Sequence, residues 1–396
     1  MLKIDKGLYR FTYGKPNIKS NKYAIFDLDS TIIKTKSGLV YPKYVNDWRI
    51  MNGRKQVLQQ YHSDGYRIII ITNQKGVANK MGEPTKKSSI VFGRIIGSMT
   101  ELGIPVEVFI AAADDCWRKP NTTIIEEHVF KNSVKKICDI ENIFYVGDAA
   151  GRAYDGAKKD DFSDSDRKFA FNILLLMRFY KNRKTKISFL SETKFFKDMS
   201  PTYTLKPFSG FDPKKFLENM VAKKTPPLIS QFDTFVDSLI LTYPLFIMMV
   251  GPPACGKSTL SKHIAKTHSA QIVSQDVLKT KAKCLTFVNQ YLERRISVVL
   301  DNTNPSNKTR DEFLSIAASH NAYVMIVHFD LPKELPKHLN IMRERISRSP
   351  KLPNIVYNVY YNNLEPISSE YHTLTIKNYV PAFKNKKHLT YFLQLS

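Results

Sequence analysis

The chain has 396 residues, of which 43% are hydrophobic, which allows two or three folded domains and argues against a disordered protein. Its net charge of +24 would attract polyanions such as nucleic acids, although a solvated lysine-rich surface would give the same value. The four cysteines form no C-x-x-C pair and no apolar run is long enough to span a bilayer. We therefore expect no zinc site, no disulfide framework, no membrane segment, and a reduced intracellular compartment.

The first half of the chain alternates strand-like and helix-like segments. Short apolar or β-branched runs, which predict strands, occur at 23–26, 67–72, 106–110 and 143–146. Helix-like stretches such as 54–63 separate them. This alternation is typical of a doubly wound parallel sheet, and in such sheets the polar residues just beyond the strands line the ligand crevice.

A polar motif lies at or beyond the end of each of these four predicted strands. In chain order the motifs are D-L-D-S-T from Asp27, T-N-Q from Thr72, R-K-P from Arg118 and G-D from Gly147. An aspartate at a strand end is often only a turn former or a helix cap. In this combination and order, however, the motifs resemble those of the haloacid-dehalogenase superfamily of phosphotransferases.

The resemblance implies a chemistry for these residues. Asp27 would be the nucleophile and form an aspartyl-phosphate, while Asp29 would protonate the departing alkoxide and then activate water. The residues expected to hold the phosphoryl oxygens are Thr72, Asn73 and Lys119. The residues expected to bind Mg²⁺, which lets a carboxylate approach a dianionic phosphate, are Asp27, Asp29 and Asp148.

A longer stretch narrows the resemblance. It reads G-D-A-A-G-R from Gly147, K-D-D-F-S from Lys159 and D-R from Asp166, followed by S-G-F-D-P from Ser209. This combination resembles the polynucleotide kinase/phosphatase family. By the resemblance, Asp161 and Asp166 could help to bind the metal or anchor the active-site lysine. The same carboxylates could also be surface groups ahead of a helix, so both interpretations stay open.

A proline-rich stretch at 201–227 separates this half of the chain from a second one. Beyond it, the apolar run 246–250 predicts a strand that leads into G-x-x-x-x-G-K-S, the pattern of a nucleotide phosphate loop. In such a loop, backbone N–H groups surround phosphate oxygens, the lysine adds positive charge and the Ser258 hydroxyl can ligate Mg²⁺. The residues expected to bind ATP are Gly251, Gly256, Lys257, Ser258 and Thr259.

Three later segments extend the family resemblance. S-Q-D from Ser274 would supply Asp276 as the general base that takes the proton from a 5′-hydroxyl. D-N-T-N-P from Asp301 closes the next predicted strand, where it could also serve as a helix cap. R-E-R from Arg343 resembles a lid that covers ATP and places Arg343 on the transferring phosphate, a solvated helix face being the alternative. Gln275 stands where many members carry arginine, which could weaken the kinase.

We therefore expect an α/β protein of two domains. The first, at 1–205, is a haloacid-dehalogenase-like Rossmannoid parallel sheet; the second, at 236–396, is a P-loop kinase parallel sheet; and 206–235 is a linker. The resemblance implies an enzyme that removes 3′-phosphates and phosphorylates 5′-hydroxyls with ATP and Mg²⁺, preparing strand breaks for ligation in DNA repair. The alternatives are one live activity, RNA end repair, a small-molecule kinase fused to a metabolite phosphatase, and a catalytically silent end-binding scaffold.

The resemblance also sets expectations for partners and location. We expect DNA or RNA strand ends as substrates, ligase-type repair enzymes as partners, and a monomer. Animal members place a phosphopeptide-binding forkhead-associated domain first, whereas the phosphatase motifs here begin almost at once, so recruitment through phosphorylated scaffolds is not expected. The compartment would be nuclear for a cellular protein, and the cytoplasm or a viral factory for a viral one.

Overall fold

The chain folds into two compact units. The structure, a computed structural model, describes residues 1–79, 81–133, 136–156, 158–182 and 187–396. Residues 1–212 and 385–396 form the first unit, and residues 213–384 form the second. The first unit is therefore discontinuous in sequence, because its last segment follows the whole of the second unit along the chain.

These bounds differ from the predicted ones. Much of the segment 206–235, predicted as a linker, lies in the helices Pro213–Ala222 and Leu228–Asp237 of the second unit. The final segment, 385–396, was predicted to belong to the second domain but packs with the first. The linker was predicted from the number of prolines in this segment. A proline in the first turn of a helix, however, leaves the helix intact.

The first unit is built on a seven-stranded sheet. In chain order the strands of this unit are β1 (Leu2–Asp5), β2 (Leu8–Tyr13), β3 (Lys22–Phe26), β4 (Ile33–Lys34), β5 (Arg49–Ile50), β6 (Arg67–Asn73), β7 (Val106–Ala111), β8 (Asn142–Gly147), β9 (Arg152–Tyr154), β10 (Ile187–Ser191) and β11 (Tyr203–Leu205). The order across the sheet is β1-β2-β7-β6-β3-β8-β10, and the run from β7 to β10 is parallel. Strands β4 and β5 pair separately, as do β9 and β11.

Helices cover both faces of this sheet, so its central strands are buried on both sides. The helices are α1 (Arg54–Ser63), α2 (Ser88–Leu102), α3 (Ser165–Phe179) and α4 (Glu192–Phe195). Ile70 packs in one apolar core with Ile95 of α2, whereas its neighbour Ile69 packs in the other core with Ile173 of α3. Successive strand residues face opposite helices, which explains the unbroken β-branched run.

The second unit contains a five-stranded parallel sheet. Its strands are β12 (Leu245–Val250), β13 (Gln271–Val273), β14 (Val298–Leu300), β15 (Tyr323–Phe329) and β16 (His372–Ile376), in the order β13-β14-β12-β15-β16. The remaining helices of the chain are α5 (Pro213–Ala222), α6 (Leu228–Asp237), α7 (Lys257–Thr267), α8 (Gln275–Leu278), α9 (Lys281–Glu293), α10 (Asn307–Ser319), α11 (Glu334–Ser347), α12 (Asn354–Asn362) and α13 (Lys386–Leu393), the last of which belongs to the first unit. The predicted α/β architecture of two parallel sheets is confirmed.

Within the part of the chain that the structure describes, no helix combines the length and the apolar composition needed to cross a membrane.

A buried ion pair joins two central strands of the first unit. The Arg67 guanidinium lies 2.6 Å from a carboxylate oxygen of Glu107, and the two side chains are 0% and 6% exposed. Since removing one partner leaves an uncompensated buried charge, Glu107→Gln should lower the free energy of unfolding of this unit by about 3–5 kcal/mol. Both tryptophans, Trp48 and Trp117, lie in this unit, so their fluorescence during urea denaturation reports its unfolding.

An exposed ion pair in the same unit provides the control. Lys75 lies 3.2 Å from Asp114, and the two side chains are 64% and 46% exposed. Lys75→Met should therefore change the free energy of unfolding by about 0–1 kcal/mol. Equal losses in the two variants would contradict the assignment of Arg67 and Glu107 as a buried structural pair.

Candidate active sites

Three carboxylates meet at the carboxyl edge of the first sheet. Asp27 follows β3 and Asp148 follows β8, the parallel strand next to it. Asp166 comes from the first turn of α3. One carboxylate oxygen of each lies within 4.8 Å of the others. The backbone N–H of Asp27 donates to the carbonyl of Val146 at 2.8 Å, so the position of Asp27 is held by the neighbouring strand.

The ammonium of Lys119 lies among these carboxylates. Its Nζ donates to Asp27 Oδ1 at 2.6 Å, to Asp166 Oδ1 at 2.8 Å and to the Tyr145 hydroxyl at 2.7 Å. Lys119 is buried. Burial alone would lower its pKa, but the charges of Asp166 and Asp27 outweigh that effect and raise it. The lysine therefore stays charged beside the predicted nucleophile.

The carboxylate cluster has more negative than positive charge. Burial raises the pKa of Asp27 to about 7, against the lowering effect of Lys119. Burial also raises the pKa of Asp148 well above its usual range, and the charges of Asp27 and Asp166 act in the same direction. When all three acids are ionised, one ammonium leaves two negative charges uncompensated. A hard divalent cation such as Mg²⁺ fits this set of oxygen donors and that charge deficit.

Asp29 faces a different set of partners. Its Oδ1 accepts a hydrogen bond from Arg94 Nη2 at 2.7 Å, and its Oδ2 accepts one from Gln74 Nε2 at 2.5 Å. Its side chain is 41% exposed. Asp29 was predicted both as acid/base and as a metal ligand; among the described carboxylates, however, Asp166 and not Asp29 completes the group with Asp27 and Asp148. The carboxylate is partly open to solvent and fixed in orientation, and its acid/base role stays a prediction.

The residues predicted to hold the phosphoryl group make different contacts in the structure. Asn73 uses its amide to hold the backbone of Lys119: its Oδ1 accepts from Lys119 N at 2.9 Å and its Nδ2 donates to Lys119 O at 3.2 Å. Thr72, buried at the end of β6, accepts a hydrogen bond from Gln74. In this structure the Asn73 side chain holds the backbone of Lys119, and the predicted contacts of Thr72, Asn73 and Lys119 with phosphate stay predictions.

The two acids that the sequence left open have separate roles. Asp166 belongs to the cluster described above, where it anchors the lysine. Asp161 accepts from the backbone N–H and from Nε of Arg152, at 3.0 and 2.8 Å. Arg152 in turn donates to the carbonyl of Asp148 at 2.7 Å and pairs with Glu192. Asp161 thus shapes the loop that carries Asp148 and does not belong to the cluster itself.

The second candidate site is the loop between β12 and α7. Gly256 adopts a φ of 99°, a left-handed conformation that favours glycine, immediately before α7 begins at Lys257. A Cβ at Gly251 would lie 2.8 Å from the Cβ of Phe329, so a side chain there would clash. Lys257 is buried, and its Nζ donates to the carbonyls of Gly251 and Pro252 at 2.9 and 2.6 Å. The loop and the helix N-terminus have the form of an anion cradle.

An acidic residue beside this loop was not predicted as a ligand. Asp301 directly follows β14, the strand next to β12, and interacts with the Ser258 side chain. Burial raises its pKa, and the nearby charge of Asp276 adds to the effect. A serine hydroxyl and a strand-end aspartate together suit an Mg²⁺ bound with a nucleotide. The signal was present in the sequence, since Asp301 follows an apolar run just as Asp27 does.

The D-N-T-N-P segment, which begins at Asp301, braces this site. Asn302 Oδ1 accepts from the backbone N–H of Gln275, next to Asp276, at 2.8 Å. Asn304 Nδ2 donates to the carbonyl of Met249 in β12, also at 2.8 Å. Ser306, beyond the segment, caps α10 through its side chain. The segment therefore contacts both the residue next to the predicted base and the strand that leads into the phosphate loop, whereas Ser306 supplies the helix cap.

A buried arginine holds this segment in turn. The Arg310 guanidinium donates to the carbonyls of Asn304, Pro305, Glu365 and Pro366, at 3.1, 2.6, 3.0 and 2.6 Å. Arg310 is 2% exposed. It ties D-N-T-N-P to a distant loop, so the geometry of the site depends on it. Sequence reasoning missed Arg310, because an arginine within a helical pattern is usually a surface residue.

Arg343 lies on α11, partly buried, and its Nη2 donates to Asn340 Oδ1 at 3.0 Å. Its predicted contact with a transferring phosphate stays a prediction, as does the predicted ATP contact of Thr259, the third residue of α7.

Comparisons with known proteins identify relatives of both units. A family model described as polynucleotide kinase 3 phosphatase matches residues 22–182, and an AAA-domain model matches residues 246–367. The chain is 30% identical over 363 residues to the bifunctional polynucleotide phosphatase/kinase of Schizosaccharomyces pombe, an alignment covering 91% of this chain and 80% of that protein. It is also 30% identical over 388 residues to a provisionally named bifunctional polynucleotide phosphatase/kinase of Acanthamoeba polyphaga mimivirus, with 91% and 85% covered.

A third relative matches the first unit alone. The polynucleotide 3′-phosphatase of Arabidopsis thaliana is 31% identical over 165 residues, an alignment covering 38% of this chain and 22% of that protein. The two relatives above, in contrast, match across both units. With the lysine–carboxylate cluster in one unit and the phosphate loop in the other, the chain belongs to the family of bifunctional polynucleotide phosphatase/kinases.

Proposed function

We propose that this chain heals nucleic-acid strand ends at two separate sites, removing 3′-phosphates in the first unit and phosphorylating 5′-hydroxyls with ATP in the second. One observation carries the proposal: a lysine–carboxylate cluster and a phosphate loop paired with a strand-end aspartate occur in one chain, in separate units. Either site without the other would suit many substrates. Together they produce the 3′-hydroxyl and 5′-phosphate that a ligase joins.

In the first unit, Asp27 attacks phosphorus and Asp29 gives its proton to the departing 3′-oxygen. The P–O bond to the sugar breaks and an aspartyl-phosphate forms. Asp29 then takes a proton from water, which attacks the same phosphorus and releases inorganic phosphate and Asp27. Lys119 lies 2.6 Å from Asp27, close enough to offset negative charge on the phosphoryl oxygens. The hydrogen bonds from Arg94 and Gln74 support this use of Asp29, because they fix its carboxylate.

Mg²⁺ would be held here by Asp27 and Asp148, whose pKa values burial raises in spite of the nearby charge of Lys119. When bound, it supplies the positive charge that lets an anionic nucleophile approach an anionic phosphate.

In the second unit, Asp276 takes the proton from the 5′-hydroxyl while that oxygen attacks the γ-phosphorus of ATP. The N–H groups of the loop and Lys257 hold the β- and γ-phosphates, and Arg343 contacts the transferring group. Ser258 and Asp301 would hold the Mg²⁺ that accompanies ATP, and the interaction between their side chains supports that pairing.

The finer assignments rest on the family resemblance and on the composition of the chain. We propose DNA ends as the principal substrate, a ligase-type enzyme as the next in sequence, a monomeric protein and an intracellular, reduced compartment. The rival interpretation is an enzyme whose only live activity is the phosphatase, since Gln275 stands where many members carry arginine. Separate assays on 3′-phosphorylated and 5′-hydroxyl ends of DNA and RNA, each with Mg²⁺ and labelled ATP, distinguish these interpretations.

The two sites should be separable by mutation. Asp27→Ala should abolish 3′-dephosphorylation and leave 5′-phosphorylation unchanged, because Asp27 belongs to the first unit. Lys257→Ala should do the reverse. Both activities are measured on one purified sample of each variant, so each retained activity shows that the sample is intact. Loss of both activities from either change, in a folded protein, would contradict independent sites.

The acid/base role of Asp29 can be tested with two leaving groups. A sugar 3′-oxygen needs a proton as it departs, whereas nitrophenolate scarcely needs one. Asp29→Asn should therefore slow aspartyl-phosphate formation about 10²–10⁴-fold with a 3′-phosphate oligonucleotide, and far less with p-nitrophenyl phosphate. Because water attack also loses its base, the variant should release about one equivalent of nitrophenol and then stall. Rapid-quench kinetics that show equal slowing with both substrates would rule the role out.

Metal binding at the first site should release protons. Because burial raises the pKa of Asp27 to about 7, the metal-free cluster carries protons at neutral pH, and Mg²⁺ requires the ionised acids. The affinity for Mg²⁺ should therefore rise as the pH increases through that value. Calorimetry without ATP, in buffers of different ionisation enthalpy, measures the protons released. Asp148→Asn should reduce both affinity and proton release, and binding that releases no proton in the native protein would contradict the assignment.

A further inference from the structure

The last residues of the chain form a strap on the first unit. This C-terminal strap, residues 386–396, consists of α13 and the three residues after it. Four of its side chains are largely buried: Tyr391, Phe392, Gln394 and Leu395. The family model for the phosphatase ends at residue 182, so the strap lies outside the matched domain. It reaches this unit only after the chain has passed through the whole of the second unit.

The strap is hydrogen-bonded to the loop that carries the catalytic lysine. Asn172, fully buried on α3, donates from Nδ2 to the carbonyl of Leu395 at 2.8 Å and to the carbonyl of Pro120 at 2.9 Å. Its Oδ1 accepts from the backbone N–H of Leu395 at 2.8 Å. Pro120 directly follows Lys119. One amide therefore joins the strap to the residue beside the lysine.

Further contacts hold the strap on both sides of that bridge. The Thr122 hydroxyl donates to Gln394 Oε1 at 3.1 Å. Glu126, almost fully buried, accepts from the Tyr391 hydroxyl at 2.5 Å and pairs with Lys387 at 2.6 Å. These contacts fall along 120–126, immediately after Lys119, so the strap covers this segment over its length.

We propose that the C-terminal strap positions Lys119 for phosphoryl transfer, with Asn172 as the positioning residue that connects them. The inference rests on the proposed phosphatase function. Lys119 is held at its tip by Asp27, Asp166 and Tyr145, and at its backbone by Asn73 on one side. On the other side, the strap acts through Asn172, which hydrogen-bonds both Leu395 of the strap and the carbonyl of Pro120. Asn172 and Asp166 lie on the same helix, α3. This helix therefore positions both the ammonium of Lys119 and the backbone next to it.

The test uses the full-length chain with three substitutions. Asn172→Ala removes the bridge, and Phe392→Ala opens a cavity beneath the strap. Gln394→Leu keeps the side-chain size but removes the acceptor for Thr122, so it remains informative where a larger change disturbs folding. Lys384→Ala, at an exposed position just before the strap, is the matched control. Each protein is assayed for 3′-dephosphorylation, and for 5′-phosphorylation as a measure of intact protein.

The three strap variants should lower the phosphatase kcat by roughly 10- to 100-fold, because a misplacement of about 1 Å at a charged catalytic group costs that much. KM for the oligonucleotide should stay within about twofold, and kinase activity and Lys384→Ala should be unchanged. Each substitution is repeated in a protein that also carries Lys119→Arg. If the strap acts through the lysine, its effect should shrink there to about threefold or less.

Three outcomes would overturn the inference. Equal losses with and without the Lys119→Arg substitution, or unchanged kcat in all three strap variants, would mean that the strap only adds stability. A native chain without any 3′-phosphatase activity would overturn the proposed function itself, and this inference with it. An active native chain with insensitive strap variants would overturn this inference alone.

Discussion

The first unit depends on one buried charge, the ammonium of Lys119. An isolated ammonium in a protein interior costs several kcal/mol, so it is stable only where acidic partners and hydrogen-bond acceptors surround it. Asp27, Asp166 and Tyr145 provide those partners within 2.8 Å. Burial raises the pKa values of Asp27 and of its neighbour Asp148, so a further positive charge would favour their ionised forms. The arrangement that stabilises the lysine therefore also creates the demand for a metal ion.

The second unit is arranged to bind an anion, whereas the first is arranged to bind a cation. There the loop offers backbone N–H groups, a helix N-terminus and Lys257 to an anion, and the acidic residues lie beside the loop and not within it. Asn304 and Arg310 support this region by donating to backbone carbonyls, and so does the backbone N–H of Gly251, which donates to the carbonyl of Thr303 at 3.1 Å. The first unit thus concentrates carboxylates, whose charge a cation would balance. The second concentrates positive charge and hydrogen-bond donors, which suit an anion such as phosphate.

Both sites lie at the carboxyl edges of parallel sheets, for a shared physical reason. Parallel strands bring their ends to one edge, so residues far apart in sequence become neighbours there. Asp27 and Asp148 meet because β3 and β8 are adjacent, and Ser258 meets Asp301 because β12 and β14 are adjacent. The buried strands are what makes the geometry rigid enough for chemistry.

The sequence by itself determined the α/β class, the two parallel sheets and most of the residues at their edges. It could do so because strand periodicity, phosphate-loop glycines and strand-end aspartates are local patterns, readable within a few positions. Even the lysine and the acid after β8 were identified by the motifs that accompany them along the chain.

Only the tertiary structure decided which contacts each of those residues makes. It assigned Asp166 to the lysine and Asp161 to a loop, turned Asn73 toward a backbone, and added Asp301 and Arg310. It also returned the C-terminal segment to the first unit. Each of these features depends on contacts between residues that are far apart in sequence. Packing and the need to satisfy buried polar groups decide which residues make those contacts. A local sequence pattern contains no information about them.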